Sequence, residues 1–257
     1  MQSVLSWVPS IEYSRSGGIN GQLSFRGQNS NNARSLNLID GARYSGRTTL
    51  EFNLIDPNSL EAVEVIRGSG SSLYGSSGMN GVINLKSRKY KGDINKPFSM
   101  EAKVRNLGYS SINNGFNSRV ETLSGGDGFD VLLRLSNRIG NNYDTPDGKI
   151  ENSKHKHLGV DLNLGYTHND TRYYLQGRYN KSTTHRGGGL GGAPGSFGNK
   201  KLMKEDPIKE YDIKFGFKTS TSFADKVDTF IYYREFDTDI HIKTPKAKVH
   251  QKFIIPK

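Results

Sequence analysis

Between residues 98 and 243, apolar and polar side chains alternate one by one in segment after segment, and this period of two constrains the fold more than any other property of the chain. In residues 158–166, LGVDLNLGY, every second residue is apolar, and the residues between are Gly159, Asp161, Asn163 and Gly165. Residues 129–136, 173–180 and 211–218 repeat the scheme, the last with Asp212, Lys214 and Lys218 on its polar side. Side chains of a β-strand point alternately to opposite faces, so each segment has an apolar face and a polar one. Strands are expected near 98–108, 116–124, 128–140, 156–168, 171–183, 208–220 and 226–242, with the start of an eighth beyond them. Two architectures use such strands. A soluble sandwich turns the apolar faces inward and would show polar residues on the outside of 156–217. A transmembrane barrel turns the apolar faces to lipid and keeps the polar ones for a wet lumen.

Lengths and joins favour the barrel. Several segments reach the roughly 9–11 residues that a tilted strand needs to cross a bilayer. Short turns at 125–128, 168–170 and 221–225 alternate with longer polar connections at 141–155 and 184–207, as in outer-membrane barrels, whose short turns are periplasmic. Tyr166, Tyr211 and Phe129 lie near strand ends, where interfacial aromatic girdles form. Composition agrees: 13 Tyr and 12 Phe accompany a mean hydropathy of only −0.67, which suits strands with one face in lipid and one in water. No apolar run reaches the roughly 18 residues of a transmembrane helix, a condition that leaves a barrel open. The start, MQSVLSWVP, has no positive n-region, extended apolar core or small-residue cleavage site, and about seven strands do not close a wide barrel. The expectation is a chain that lacks both ends of a longer protein.

The chain has no cysteine, hence no disulfide framework and no thiolate metal site. A net charge of +11 admits nucleic acid, an anionic lipid surface or an acidic ligand. The 36 Lys and Arg are scattered among 25 Asp and Glu without a dense basic block, so nucleic acid is not expected as a partner.

Residues 63–85, VEVIRGSGSSLYGSSGMNGVINL, place a glycine-rich turn behind an apolar strand, the setting of a phosphate cradle. The chemistry is missing. Gly70 and Gly75 have P-loop spacing, but Ser76 and Ser77 stand where lysine and its hydroxyl neighbour belong, and Leu73 replaces the third glycine of a dinucleotide fingerprint. Strand-like runs at 21–27, 35–41, 62–68 and 81–86 imply instead a small α+β domain. Within it come, in order, Phe25-Arg26-Gly27, Leu38-Ile39-Asp40-Gly41, the run 59–68 ending in Arg67-Gly68, Ser72-Leu73-Tyr74-Gly75 and Gly81-Val82-Ile83-Asn84. That order and spacing resemble the plug domain of TonB-dependent outer-membrane receptors. Ser69, where the family usually has proline, and Asn80, in place of a first glycine, are local departures. The resemblance implies a mainly β protein: an α+β plug over residues 1–91, its amino terminus missing, then over 92–257 the first antiparallel strands of a large, 22-stranded type of transmembrane β-barrel.

It also implies roles. In the family, upward plug loops and outer barrel loops hold the ligand, which marks Arg43, Tyr44, Arg47 and Thr48 of the apical loop. Two arginines and a tyrosine suit an anionic aromatic ligand through charge-assisted hydrogen bonds and stacking; a merely solvated arginine-rich loop is the alternative. Arg26 and Arg67 become plug anchors, ion-paired with glutamates of the barrel wall that lie mostly outside this stretch. His155 and His157 share one strand face, as half of a metal site or, lacking a third ligand of matching spacing, as exposed histidines at a loop end; no metal is assigned. His168 sits alone in a short turn, and His185, beside the longest connection, is an extracellular-loop candidate. No catalytic constellation and no cofactor is indicated. The wording of residues 56–75 is closest to haem receptors, yet residues 1–154 contain no histidine for the iron, so ferric siderophore and haem stand equally as cargo, with cobalamin behind. The expected partners are TonB with its inner-membrane energising complex and outer-membrane lipid. Asp161, Asn163, Gln176, Arg178 and Lys214 would supply the polar wall along which a plug moves. A passive porin or adhesin barrel accounts for 98–243 but not for the plug motifs.

Overall fold

The computed structural model describes residues 11–17, 20–25, 28–29, 35–44, 55–68, 70–74, 78, 81–91, 93–146, 148–150, 152–187, 202–222, 224–243 and 248–256. At the amino-terminal end, β1 (Ile11–Gly17), β2 (Asn20–Phe25) and β3 (Gln28–Asn29) form an antiparallel meander. A second sheet follows, built from β4 (Ser35–Ile39), β5 (Ala42–Arg43), β6 (Leu60–Arg67) and β7 (Gly81–Ser87) in the order β5-β4-β7-β6. β4 and β7 run parallel, and the other pairs antiparallel. β7 is central and buried on both faces: Ile83 and Leu85 pack with Ile39, Tyr44 and Ile55 on one side, Val82 with Leu36 and Leu38 on the other. Each such side chain contributes about 1.5–3 kcal/mol by leaving water. Helix is scarce among the described residues: one turn, α1 (Ser71–Tyr74), and 3-10 turns at Pro57–Ser59 and Ser111–Asn113. The glycine-rich run therefore reverses the chain from β6 into β7. Gly70 N–H donates to Gly78 O at 2.8 Å across the loop.

The alternating region is a single antiparallel sheet. β8 (Ser99–Ser110), β9 (Gly115–Gly126) and β10 (Phe129–Gly140) lead to a small hairpin of β11 (Tyr143–Thr145) and β12 (Gly148–Ile150). β13 (His155–His168), β14 (Thr171–Gly187), β15 (Leu202–Thr221), β16 (Ala224–Lys243) and β17 (Lys248–Pro256) complete eight strands that pair in chain order from β8 to β17, leaving out the hairpin. Two-residue turns join β9 to β10, β13 to β14 and β15 to β16 at one end, and longer connections join the rest at the other. Asp127 N–H donates to Lys96 O at 2.9 Å, which ties the link between the two units to the tight-turn end.

Two strand boundaries differ from expectation. The connection expected at 184–207 is strand at both of its ends, since β14 runs to Gly187 and β15 begins at Leu202. The ladder continues by shifting register between Ser182 and Thr184 and between Glu205 and Ile208. The second shift accommodates Pro207, which has no N–H to donate. The eighth strand, expected only as a start, is fully formed as β17.

The faces decide between sandwich and barrel. Polar residues fill the inner face against the plug sheet: Glu121 is 0% exposed and Arg134 1%. Apolar residues cover the outside, with Ile213 at 49% and Ile231 at 75%. Burying charge and exposing isoleucine is unfavourable in water and favourable when the outside is lipid. On that outer face Phe129, Tyr166, Tyr173 and Phe217 lie side by side across β10, β13, β14 and β15 near the tight-turn end. Nearer the other end, the Tyr179 and Tyr211 rings meet with centroids 5.0 Å apart and planes tilted by 39°. From Tyr173 to Tyr179 is about 20 Å along the strand, close to the height of a barrel's apolar band.

Candidate functional site

Two residues, Asp40 (φ 50°) and Gly41 (φ 80°), join β4 to β5. Both are in the left-handed region, which makes a type I′ hairpin turn for which Asp-Gly is well suited. The Asp40 carboxylate is used inside the plug: it accepts from Ser87 N–H at 3.1 Å and from the Ser87 hydroxyl, with Lys89 Nζ 3.3 Å away. Gly41 N–H donates to Asn84 Oδ1 at 3.1 Å. The hairpin therefore meets the wall with backbone carbonyls. Lys214 Nζ on β15 donates to Asp40 O at 2.5 Å, and Arg234 Nη1 on β16 donates to Arg43 O at 2.6 Å. The Arg234 guanidinium also lies over the Tyr44 ring, 4.6 Å from its centroid. Further along the plug, Asp56 forms an ion pair with Arg119 of β9, both buried.

The wall behind the hairpin carries a belt of alternating charge. Glu121, Arg134, Asp161, Arg178, Asp212 and Arg234 are consecutive cross-strand partners on β9, β10, β13, β14, β15 and β16. Arg105 of β8 extends the row, its Nε 2.7 Å from Glu121 Oε2. Arg134 Nε lies 3.0 Å from the other Glu121 oxygen, Arg134 Nη1 is 3.5 Å from Asp161, and Arg178 Nε is 2.9 Å from Asp161. Asp212 closes the series between Arg178, at 3.9 Å, and Arg234. Charges so far from water persist because each has an opposite neighbour in register. On either side of the belt stand neutral polar contacts, among them Gln176 Nε2 to Asn163 Oδ1 at 2.9 Å. Asp161, Asn163, Gln176, Arg178 and Lys214 thus lie together on this inner face, beside Asp40 and Ala42 of the plug.

The residues singled out in the sequence are distributed unevenly. Arg43 is exposed on β5, while Tyr44 is buried at 5% exposure between the plug core and Arg234. Its ring is held by Arg234, which the sequence could not place opposite it. Arg26, Arg47 and Thr48 lie outside the described residues. Arg67 ends β6, exposed and without an ion pair among the described residues. Most of the plug-to-wall pairs that are described run in the opposite sense, from wall cations to plug oxygens, while Arg88 of the plug lies 3.8 Å from Glu121 of β9 in the expected sense. His155 and His157 are not exposed: both are buried on the inner face, because β13 begins at His155, one residue before the expected strand, and alternation turns both side chains to the same side. His157 Nδ1 and Ser182 Oγ are 2.8 Å apart. His185 is half-buried within β14, its N–H donating to Lys154 O at 2.9 Å. Asp40, Asp56, Arg119 and Arg234 were not singled out as contacts. The LIDG motif pointed at the first, and charge at every second strand position pointed at the wall residues.

Comparison with known proteins supplies the frame. A family model described as TonB-dependent Receptor Plug Domain matches residues 1–82. The vitamin B12 transporter BtuB of Vibrio vulnificus is 37% identical over 138 residues, covering 50% of this chain and 22% of that protein. An iron-regulated outer membrane virulence protein of Vibrio cholerae is 38% identical over 94 residues, covering 33% of this chain and 14% of its own length. The matched stretch is thus less than a quarter of either curated relative. Among solved structures, the copper transporter OprC matches with a TM-score of 0.77 at 20% identity over 93% of this chain and 36% of its own. The FrpB iron transporter from Neisseria meningitidis matches with a TM-score of 0.67 at 16% identity over 100% of this chain and 47% of its own. Identities this low establish shared fold alone. Motif order, the plug-domain match over residues 1–82, the inside-out sheet and the shared fold with these solved transporters converge on a TonB-dependent receptor plug domain seated against strands of a transmembrane β-barrel fold.

Proposed function

We propose that the protein takes up a metal complex across the bacterial outer membrane, with TonB delivering the energy, and that the cargo is an iron complex, a ferric siderophore or haem. The observation that carries this reading is the kind of contact between plug and wall. Lys214 and Arg234 hold the hairpin by carbonyl oxygens, in a lumen lined with other donors and acceptors. Such bonds exchange for bonds to water or to neighbouring wall groups at a net cost of about 0.5–1.5 kcal/mol each, which suits a plug that is pulled and returns. An apolar plug interface would resist both steps.

The ligand-binding part of the proposal assigns Arg43, Arg47 and Thr48 to the apical loop, with Tyr44 as its buried hinge side and His185 as a contact from the barrel. Its support is the direction of β5. Asp40 meets Lys214, and Arg43 meets Arg234, which lies two positions further from the tight-turn end of β16 than Tyr232, the cross-strand partner of Lys214. β5 therefore climbs towards the end with the long connections. Arg26 and Arg67 keep their proposed anchoring role towards acidic groups of the barrel. The relatives' names speak of vitamin B12, iron regulation and copper, all metal-linked. The role is binding and transport, with no covalent step. Binding of a ferric tris-catecholate and of haem to the receptor tests the assignment: the double variant Arg43→Ala, Arg47→Ala is expected to weaken one of them about tenfold or more, the loss of one or two charge-assisted bonds. Unchanged affinity for both would remove the apical loop from the binding site.

A further inference from the structure

We propose that Lys214 and Arg234, with Arg178 beside them, form a second oxyanion site on the lumen wall, one that the plug hairpin covers at rest and that receives acidic groups of the cargo once the hairpin withdraws. The proposal rests on the energised-uptake reading above. Within the belt, every arginine has a carboxylate of the wall next to it. Lys214 has no such pair: Asp228 of β16 pairs with Lys218 at 3.0 Å and accepts from the Tyr174 hydroxyl at 2.7 Å. Its cross-strand neighbours are Gln176 and Tyr232. Its ammonium meets Asp40 O and lies 3.6 Å from the centroid of Phe230 and 5.6 Å from that of Tyr174, and among the described residues it has no ion pair. Two positions nearer the long-connection end, Arg234 Nη1 is likewise committed to a plug carbonyl, that of Arg43. Arg234 Nε and Arg178 Nη1 are buried N–H groups with no hydrogen-bond partner among the described residues, each 3.9 Å from a carboxylate oxygen, of Glu210 and Asp212 respectively. Asp212 lies between the two guanidinium groups, with Asp161 and Glu210 beyond.

Two carbonyl oxygens of the plug thus occupy positions that the oxygens of a carboxylate, catecholate or phosphate would fill. A carbonyl dipole balances only part of a unit charge. When the hairpin leaves, Lys214 loses its hydrogen-bond acceptor while Asp228 of the wall is already shared by Lys218 and Tyr174, and Arg234 regains a donor next to its Nε. An oxyanion meets both needs, and the Phe230 and Tyr174 rings beside Lys214 give an aromatic acid a surface to pass over.

These 257 residues contain no cysteine, so in a receptor kept free of other cysteines one introduced thiol reports on this place alone. Gln176 is the cross-strand partner of Lys214 and lines the gap between hairpin and wall. In cells carrying the receptor with Gln176→Cys, labelling rates are measured for an anionic ethylsulfonate and a cationic trimethylammonium methanethiosulfonate reagent, each relative to a free thiol, with the proton gradient present and collapsed. The expected result is labelling that needs the gradient and favours the anionic reagent by about tenfold or more, with the preference lost in the Gln176→Cys, Lys214→Met double variant. Gradient-dependent labelling with no anionic preference overturns the oxyanion site and leaves energised uptake standing. Labelling by neither reagent, or labelling indifferent to the gradient, overturns both.

Discussion

Glu121 shows what single residues contribute to the wall. It is fully buried and shared by Arg105 and Arg134 through its two oxygens. Neutralising it removes the carboxylate that Arg105 pairs with and leaves Arg134 with Asp161 alone. Glu121→Gln is expected to destabilise the barrel sheet by about 3–5 kcal/mol, the cost of breaking a buried pair by removing one partner, read as a lower urea midpoint for unfolding from detergent or lipid. A shift within error of wild type would show that the belt is not held by charge pairing. The sequence revealed which residues share the inner face, because strand alternation assigns Asp161, Arg178 and Lys214 to one side wherever the strand starts. It did not reveal who pairs with whom. Glu121 faces Arg134 only because two-residue turns fix the register of β9 on β10, and Tyr44 is buried only because Arg234, far along the chain, closes over it.

For whole strands, chemistry differs between the two faces and so should tolerance. Ile213 lies on the outer face of β15 between Tyr211 and Phe215, while its neighbour Lys214 is buried inside. An arginine placed in the middle of a barrel's lipid-facing band costs about 2–4 kcal/mol. Ile213→Arg is therefore expected to lower the yield of folded, heat-modifiable protein in lipid vesicles, whereas a soluble sandwich would gain from the same change at an exposed position; an unaltered or higher yield would contradict the lipid-facing assignment. Strand cores were legible for this reason, since lipid on one side enforces strict alternation. Strand ends were not. Residues 202–207, LMKEDP, carry charge and a proline where no lipid selects apolar residues, so they resemble a loop although β15 already begins at Leu202.

The whole molecule joins a plug with an apolar core of its own to a wall that offers it mainly cations and polar groups. The plug could be recognised from ordered motifs because their local turns demand particular residues, as the type I′ turn demands Asp40-Gly41. How the plug is held was not legible: the hairpin is held by carbonyl oxygens, which every residue has, and the Asp56–Arg119 pair joins groups far apart in the chain. A plug so held can be moved by a modest pull, and this separates an energised receptor from a passive barrel with an immobile filling. The direct test is uptake of radioactive iron, supplied as a ferric tris-catecholate and as haem, by iron-starved cells that depend on this receptor, with TonB present or deleted. Accumulation of one of the two complexes that requires TonB, with surface binding of that complex unchanged by the deletion, is the expected result. Accumulation that continues at the same rate without TonB would contradict the account.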